Sequence, residues 1–341
     1  MKPKLLAVMV ILAMVSTMAF AGGKQEGPAA PGAPKQVKLT WSSVSVPNDA
    51  HTKAMQVFKL ELERITEGQV DVEIYHSGQL FTQEGAQAAV KRGTLDMVYS
   101  GPNWIAGFIP KWSMFAAAYT FSGYDHMSKF FNSKDAQPLY DEVAREIGMR
   151  PLGAFYLGTR ELNLRDIGRE VKTPADMKGV KLRMPGTASW QFMGKALGAS
   201  PTPLSFTEVY MGLKTGTVDG QDNPLPTDKN AKFYEVTKYI ILTDHYVNPV
   251  MPTINEKKWQ SLGPELQAKV MEALEVARDT CDNLNLKAEA ELVAFFEAEG
   301  MTIIKPDKQA FMDYAQKMYF DNKEISGSWD MDLFKVVQSY K

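Results

Sequence analysis

The sequence predicts an α/β protein built as two lobes that face each other, and three observations carry that reading. Strand-like and helix-like segments alternate twice along the chain. A long helical stripe follows in the last third. The 341 residues, 45% of them hydrophobic, supply apolar material for two cores of ordinary size. With 11% aromatic and 23% charged residues, the composition is globular and excludes a disordered or collagen-like chain. A formal charge of -2, with no Lys/Arg-rich stripe, excludes a strongly basic nucleic-acid binder. Cys281 is the only cysteine, which excludes an intrachain disulfide, a CxxC redox pair and any multi-cysteine metal cluster.

The first residues stand outside this pattern. Lys2 and Lys4 precede an apolar run from Leu5 to Phe20, and Ala19-Phe20-Ala21 forms an A-x-A cleavage box. Residues 1–21 therefore read as a secretory signal peptide, since the run is short for a membrane span and lacks a stop-transfer flank. The alternative is an uncleaved anchor. No cysteine follows the box, so no lipid attaches there. Residues 22–36, rich in Gly, Pro and Ala, read as a flexible leader. The expected product is exported.

From Val37 to Trp41 the pattern alternates as a strand does. Asp49 is placed to cap a helix whose Ala54, Val57, Phe58, Leu62 and Ile65 follow a 3.6-residue period, with Gly68 as its stop. A strand over Val70–Tyr75, a helix over Gln83–Arg92 and a buried strand over Leu95–Tyr99 complete a β-α-β-α-β run, which favours parallel pairing. A second run begins with a strand at Val180–Met184 and a helix over about Thr187–Leu197. It continues with Pro201–Leu204, a helix over Phe206–Lys214 and a strand near Val218–Gln221. The blocks separate near Thr159. Between Pro264, suited to a first helical position, and Gly300, suited to a helix end, apolar residues from Leu266 to Phe295 form one stripe. At about 1.5 Å per residue that helix would reach roughly 52 Å, enough to brace both lobes unless it breaks near Asp282-Asn283. Cys281 lies on the stripe and reads as a packed small hydrophobe.

Signatures of catalysis are missing. His51, His76, His126 and His245 are far apart and match no metal-ligand spacing, and no G-x-S-x-G elbow, phosphate loop or GxGxxG occurs. The reading is therefore binding rather than turnover, with no metal or cofactor.

Two stretches hold the informative residues. In the first, Gly158-Thr159-Arg160 precedes Thr173-Pro174-Ala175-Asp176-Met177-Lys178-Gly179, a capped turn feeding a strand that ends at Arg183. A strand's carboxyl end borders the ligand crevice of an α/β lobe, and a guanidinium there matches a carboxylate with two parallel donors. Pairing of Arg183 with a structural Asp or Glu is equally open at this point. In the second, LGASPTPLSFTEVYMGLKTGTVDGQDNP, Asn223 is held extended before Pro224 and its amide can be aimed into a cleft. Turn chemistry alone would also account for Asp219–Pro224.

These stretches, TPADMKGVKLRMP, LGASPTPLSFTEVYMGLKTGTVDGQDNP and KFYEV, resemble the periplasmic solute-binding subunits of TRAP transporters, of the DctP and sialate-binding type. The resemblance runs from about Val37 to Phe320. It implies a two-lobed periplasmic binding protein fold of type II-like form, with mixed sheets flanked by helices and one long helix spanning both lobes. The expected division is lobe I over 37–159, lobe II over 160–248, and 249–341 returning to lobe I. It further implies capture of a small organic acid and delivery to the small and large membrane subunits of a permease. By position, Arg183 matches the arginine that clamps the substrate carboxylate, Arg160 a second arginine of that site, Asn223 a carboxylate-contacting asparagine and Phe206 a lining aromatic. Trp104 falls at another lining position, whereas Gly101 stands where the sialate binders carry an acidic residue. Trp104, Trp190 and Tyr99 would suit a flatter or less hydroxylated acid than sialate, although Trp190 with Met193 and Leu197 equally fits a core stripe. A periplasmic ligand sensor, or a secreted lyase or hydrolase on the same fold, are the competing readings.

Overall fold

The computed structural model describes residues 36–341, so the expected signal peptide and all but the last residue of the leader lie outside the described residues. Strand β1 (Val37–Ser42) buries Leu39 and Trp41 completely. Helix α1 (Ala50–Ile65) lays Ala54, Met55, Phe58 and Leu62 over it, with the Trp41 and Phe58 rings edge to face at 5.3 Å. Gly68, at φ 78°, closes the helix by donating its N–H to the Glu63 carbonyl. Asp49 does not cap α1 with its side chain, contrary to the sequence expectation. One carboxylate oxygen instead accepts from the Val46 N–H and the other from Asn230 Nδ2, far along the chain.

Strands β2 (Val70–Tyr75) and β3 (Met97–Ser100) flank β1 in parallel, giving the order β2-β1-β3, and α2 (Gln83–Arg92) connects them. A short strand, β4 (Met149–Pro151), precedes β5 (Phe155–Leu164). In the second half β6 (Lys181–Met184) pairs in parallel with both β7 (Ser200–Pro203) and β8 (Gly220–Pro224). The segment at Asp219–Pro224 is thus strand over most of its length, which sets aside the turn reading and holds Asn223 in a ladder opposite Glu161.

The sequence reading missed the strand that joins the halves. β9 (Tyr239–Asn255) pairs with β5 along its first part and with β3 and β4 at its end, so one strand belongs to both sheets. Pro249 and Pro252 lie inside it, and proline ordinarily argues against a central strand. Beside Pro249 the ladder with β5 is irregular, with a register shift at Tyr156/Gly158 and another at Arg160/Leu162, whereas Pro252 lies opposite Tyr99 of β3. β10 (Thr302–Ile304) adds in parallel to the start of β9. The result is a mixed α/β, two-lobed fold. One apolar core, around Trp41, Phe58 and Phe155, lies beneath the first sheet, and another, around Leu182, Met193 and Phe311, beneath the second.

The long helix, Glu256–Ala298, is interrupted only at Gly263, and Pro264 restarts it at the position the sequence suggested. It does not break at Asp282. Its Asp282, Asn285 and Glu289 instead bind the start of β5. Asp282 accepts the Tyr156 N–H at 2.7 Å, Asn285 Nδ2 donates to the Tyr156 carbonyl at 2.6 Å, and Glu289 accepts the Thr159 N–H at 2.6 Å. Gly158 is required between them, since a Cβ there would lie 2.5 Å from Pro224 Cβ and 2.8 Å from the Glu289 carboxylate. Cys281 on this helix is fully buried, as a packed hydrophobe. Among the described residues no helix is long and apolar enough to cross a membrane.

Candidate functional site

In the first sheet the chain runs from β1 out to β2 and returns past β1 to β3, so the order reverses between β1 and β3. In the second it reverses at β6, between β7 and β8. Ligands of α/β sheets sit beyond strand carboxyl ends at such reversals. Both reversals open onto one cavity of about 130 Å³. The seven side chains singled out from sequence, Arg160, Arg183, Asn223, Phe206, Trp104, Trp190 and Tyr99, all line it.

Arg183 stands at the carboxyl end of β6 and is 3% exposed. Its Nε donates to the Leu204 carbonyl at 2.8 Å, which fixes the plane of the guanidinium. Among the described residues neither Nη has a hydrogen-bond partner, and no carboxylate forms a salt bridge with the group. Burial lowers its pKa to about 10, with Arg160 nearby adding to the effect against the pull of Asp222, so it remains a cation at neutral pH. A buried guanidinium with an unengaged fork is a ready site for a carboxylate.

Arg160, also 3% exposed, is placed differently. Strand β5 sets it beside β8, and Nε and Nη2 both reach the Asp222 carboxylate, at 2.7 and 3.1 Å. Nη2 also donates to the Asp222 carbonyl, and Nη1 to Asn248 Oδ1 at 2.9 Å. These four bonds leave one N–H of the five for the cavity. An internal acid one residue before Asn223 thus engages most of this fork, while Arg160 still lines the cavity as the sequence suggested. Burial pushes the Asp222 carboxyl pKa up, but Arg160 and the hydrogen bond from His245 outweigh it and hold the group well below the usual carboxylate range. His245 reaches Asp222 because β9 bulges between Ile241 and Tyr246, where one residue of β5 faces several.

Asn223 Nδ2 donates to Gln221 Oε1 at 2.5 Å, so its amide is oriented by β8 itself. Phe206 stacks edge-on against Phe233 at 5.9 Å. Trp190 lies 4.6 Å beneath the Arg160 guanidinium and edge-on to Tyr246, while sharing a core with Met193 and Leu197. Trp190 thus lines the cavity and belongs to a core at the same time. Trp104 packs against the same core. Tyr99 donates its hydroxyl to the His51 carbonyl at 3.1 Å and packs on Trp41, so it shapes the wall without a hydroxyl free to contact a ligand.

Sequence reading missed Asp222, although it sits in the motif quoted for Asn223, and treated His245 as isolated. It likewise read His51 as isolated and Asp49 as a helix cap, and did not single out Ser100; all three line the cavity.

Residues 41–324 match the family model of bacterial extracellular solute-binding protein, family 7, also called DctP. The chain belongs to this family, which makes it a solute-binding protein rather than an enzyme. It is 36% identical over 76% of its length, and 79% of the relative's, to a sialic acid-binding periplasmic protein of Vibrio cholerae. It is 29% identical to a 2,3-diketo-L-gulonate-binding periplasmic protein of Escherichia coli, covering 85% of this chain and 88% of the other. Among solved structures, a TRAP periplasmic solute-binding protein of Roseobacter denitrificans with bound 3-deoxy-D-manno-oct-2-ulosonic acid superposes with a TM-score of 0.85 at 38% identity, covering 90% of this chain and 100% of that one. A second from the same organism, with bound L-galactonate, gives 0.81 at 28%, covering 90% and 99%.

Proposed function

We propose that this chain is the extracytoplasmic subunit of a TRAP transporter, taking up a small organic acid between its lobes and handing it to the membrane subunits of the permease. The observation that carries the reading is the unengaged Arg183 fork, buried in a cavity bounded by both lobes. The carboxylate is received by the two Nη groups of Arg183, with the remaining Arg160 N–H and the Asn223 amide beside it. Each charge-assisted bond contributes roughly 1.5–3 kcal/mol. Lobe I comprises about 37–159 and lobe II about 160–248. Closure bends β5 and β9, whose crossing is held by Asp282, Asn285 and Glu289. The rest of the chain is shared, since β10 pairs beside lobe II while the long helix packs on α1. The sequence of residues 1–21, read as a signal peptide, supports a periplasmic location for the mature protein. The family resemblance supports a permease as the partner, rather than a role as a periplasmic ligand sensor.

Mass spectrometry of small molecules released from protein purified without denaturation tests this directly. The wild type should release one organic acid in near-stoichiometric amount, and Arg183→Ala none. Equal amounts from both would overturn the clamp.

A further inference from the structure

In the run Gly220-Gln221-Asp222-Asn223-Pro224, Asp222 holds Arg160 and Asn223 lines the cavity. That leaves Gln221, completely buried and on the same face of β8 as Asn223. A side-chain amide can face either way, and its hydrogen-bond partners decide which. Here the decision starts far from the cavity. Thr237 gives its hydroxyl proton to the Phe233 carbonyl at 2.8 Å, so its oxygen can only accept. Asn163 Nδ2 donates to that oxygen at 2.9 Å and to the Tyr239 carbonyl at 3.2 Å. Asn163 lies opposite Gln221 in the β5–β8 ladder and so presents Oδ1 to it. Gln221 Nε2 donates to that Oδ1 at 3.2 Å and to Asp228 Oδ1 at 2.7 Å, which engages both of its protons. Oε1 is left to face Asn223, whose Nδ2 donates to it at 2.5 Å. Turned over, Asn223 would set Oδ1 against Oε1, acceptor on acceptor. Asn163, Gln221 and Asp228 are all completely buried, so water does not compete for these bonds.

We propose that Gln221 is the positioning residue for Asn223, the last link of an amide chain whose direction is set by the backbone carbonyls of Phe233 and Tyr239. The chain commits one Nδ2 proton of Asn223 to Gln221 and leaves the other, with Oδ1, unengaged among the described residues. The proposal rests on the carboxylate-capture reading above and adds how its asparagine is held. An amide ordered before the solute arrives spares binding the cost of ordering it. Asp228 closes the chain from the first turn of the short helix Leu225–Asn230. Burial pushes the Asp228 carboxyl well above the usual carboxylate range, so an amide with the same acceptor oxygen is a close substitute there.

Calorimetric titration of the intact mature chain with 3-deoxy-D-manno-oct-2-ulosonate, or with the acid released from the native protein if that one does not bind, tests this as a double-mutant cycle. Gln221→Met, similar in shape but without either polar atom, should weaken binding about fivefold where Asn223 is kept and by less than about 1.5-fold in Asn223→Ala. Asp228→Asn should bind within about 1.5-fold of wild type, because the acceptor stays. A Gln221→Met loss of the same size with and without Asn223, or none in either, overturns the positioning role, as does an Asn223→Ala that binds like wild type. If Gln221→Met does not fold, Asp228→Leu provides the readout, with a loss of about threefold expected beside Asn223 and none in Asn223→Ala. Equal losses, or none, overturn the role. Arg183→Ala keeps the two claims apart. Retained affinity there refutes the clamp, whereas lost affinity with independent Gln221 and Asn223 effects refutes only the positioning chain.

Discussion

Arg160 and Arg183 are equally buried, line the same cavity and sit on strands of the same sheet, yet their surroundings give them opposite work. Around Arg160 the β5–β8 ladder and the β9 bulge assemble Asp222, Asn248 and His245, and the guanidinium is held in an internal network. Around Arg183 a single backbone carbonyl fixes the plane and the fork faces the cavity. Residue type and burial therefore do not separate the two arginines; the presence of an adjacent acid does, and the proposed clamp role of Arg183 rests on that difference. One corner is paired internally and the other leaves its fork open.

The largest expected effect breaks the rigid corner. Arg160→Ala should destabilise the fold by about 3–5 kcal/mol in urea denaturation, because Asp222 is left buried without its guanidinium partner, with only the hydrogen bond from His245. Arg183→Ala should leave unliganded stability within about 1 kcal/mol of wild type or raise it, since no internal acid loses a partner. Equal destabilisation by both would erase the distinction. On the binding side, Arg183→Ala should weaken a bound acid by about 100-fold or more, equivalent to about 2.7 kcal/mol, as measured by calorimetry. Arg183→Lys should lose about tenfold, because a point charge cannot reproduce two parallel donors.

The smallest expected effects concern pH and the lobe I end. His51, lowered to about 3 by burial, stays neutral in the fold while the unfolded chain takes up a proton near its ordinary value of 6.5. Its contribution is present above that pH and is lost as the pH falls below it. Asp49 has the opposite sign: burial raises it from 3.8 to about 6, against its hydrogen bonds from Asn230 and Val46, so the fold binds a proton that the unfolded chain has released. Stability from that group grows as the pH falls from 7 to 5 and is lost as it rises again. Each amounts to about 1–2 kcal/mol over this range. Denaturation curves at pH 7 and 5 should thus show Asp49→Asn losing more stability with acid than wild type, and His51→Phe losing less. The reverse order would show that these groups do not titrate as their burial requires.

Much of this was legible in sequence because it is local. The strand ending at Arg183, the loop into Phe206 and the run to Asn223 are each fixed by turn residues and short apolar patterns, and their side chains converge on one cavity. What escaped depends on pairing across long separations. The partnership of Arg160 with Asp222 arises only when β5 lies beside β8, and the prolines of β9 disguised a strand that both sheets share. His51 gained meaning only when α1 was seen to start beside the end of β3. A carboxylate at position 222 gives no sign in the sequence of which arginine it neutralises.

The central claim is that the Arg183 fork, and not that of Arg160, receives the acid. A crystal structure with the acid released from the purified protein tests it most directly. Both carboxylate oxygens should lie about 2.7–2.9 Å from Nη1 and Nη2 of Arg183, with the Arg160–Asp222 pair intact. A carboxylate paired with Arg160 after displacement of Asp222, or one lying beyond hydrogen-bond reach of Arg183, would contradict it.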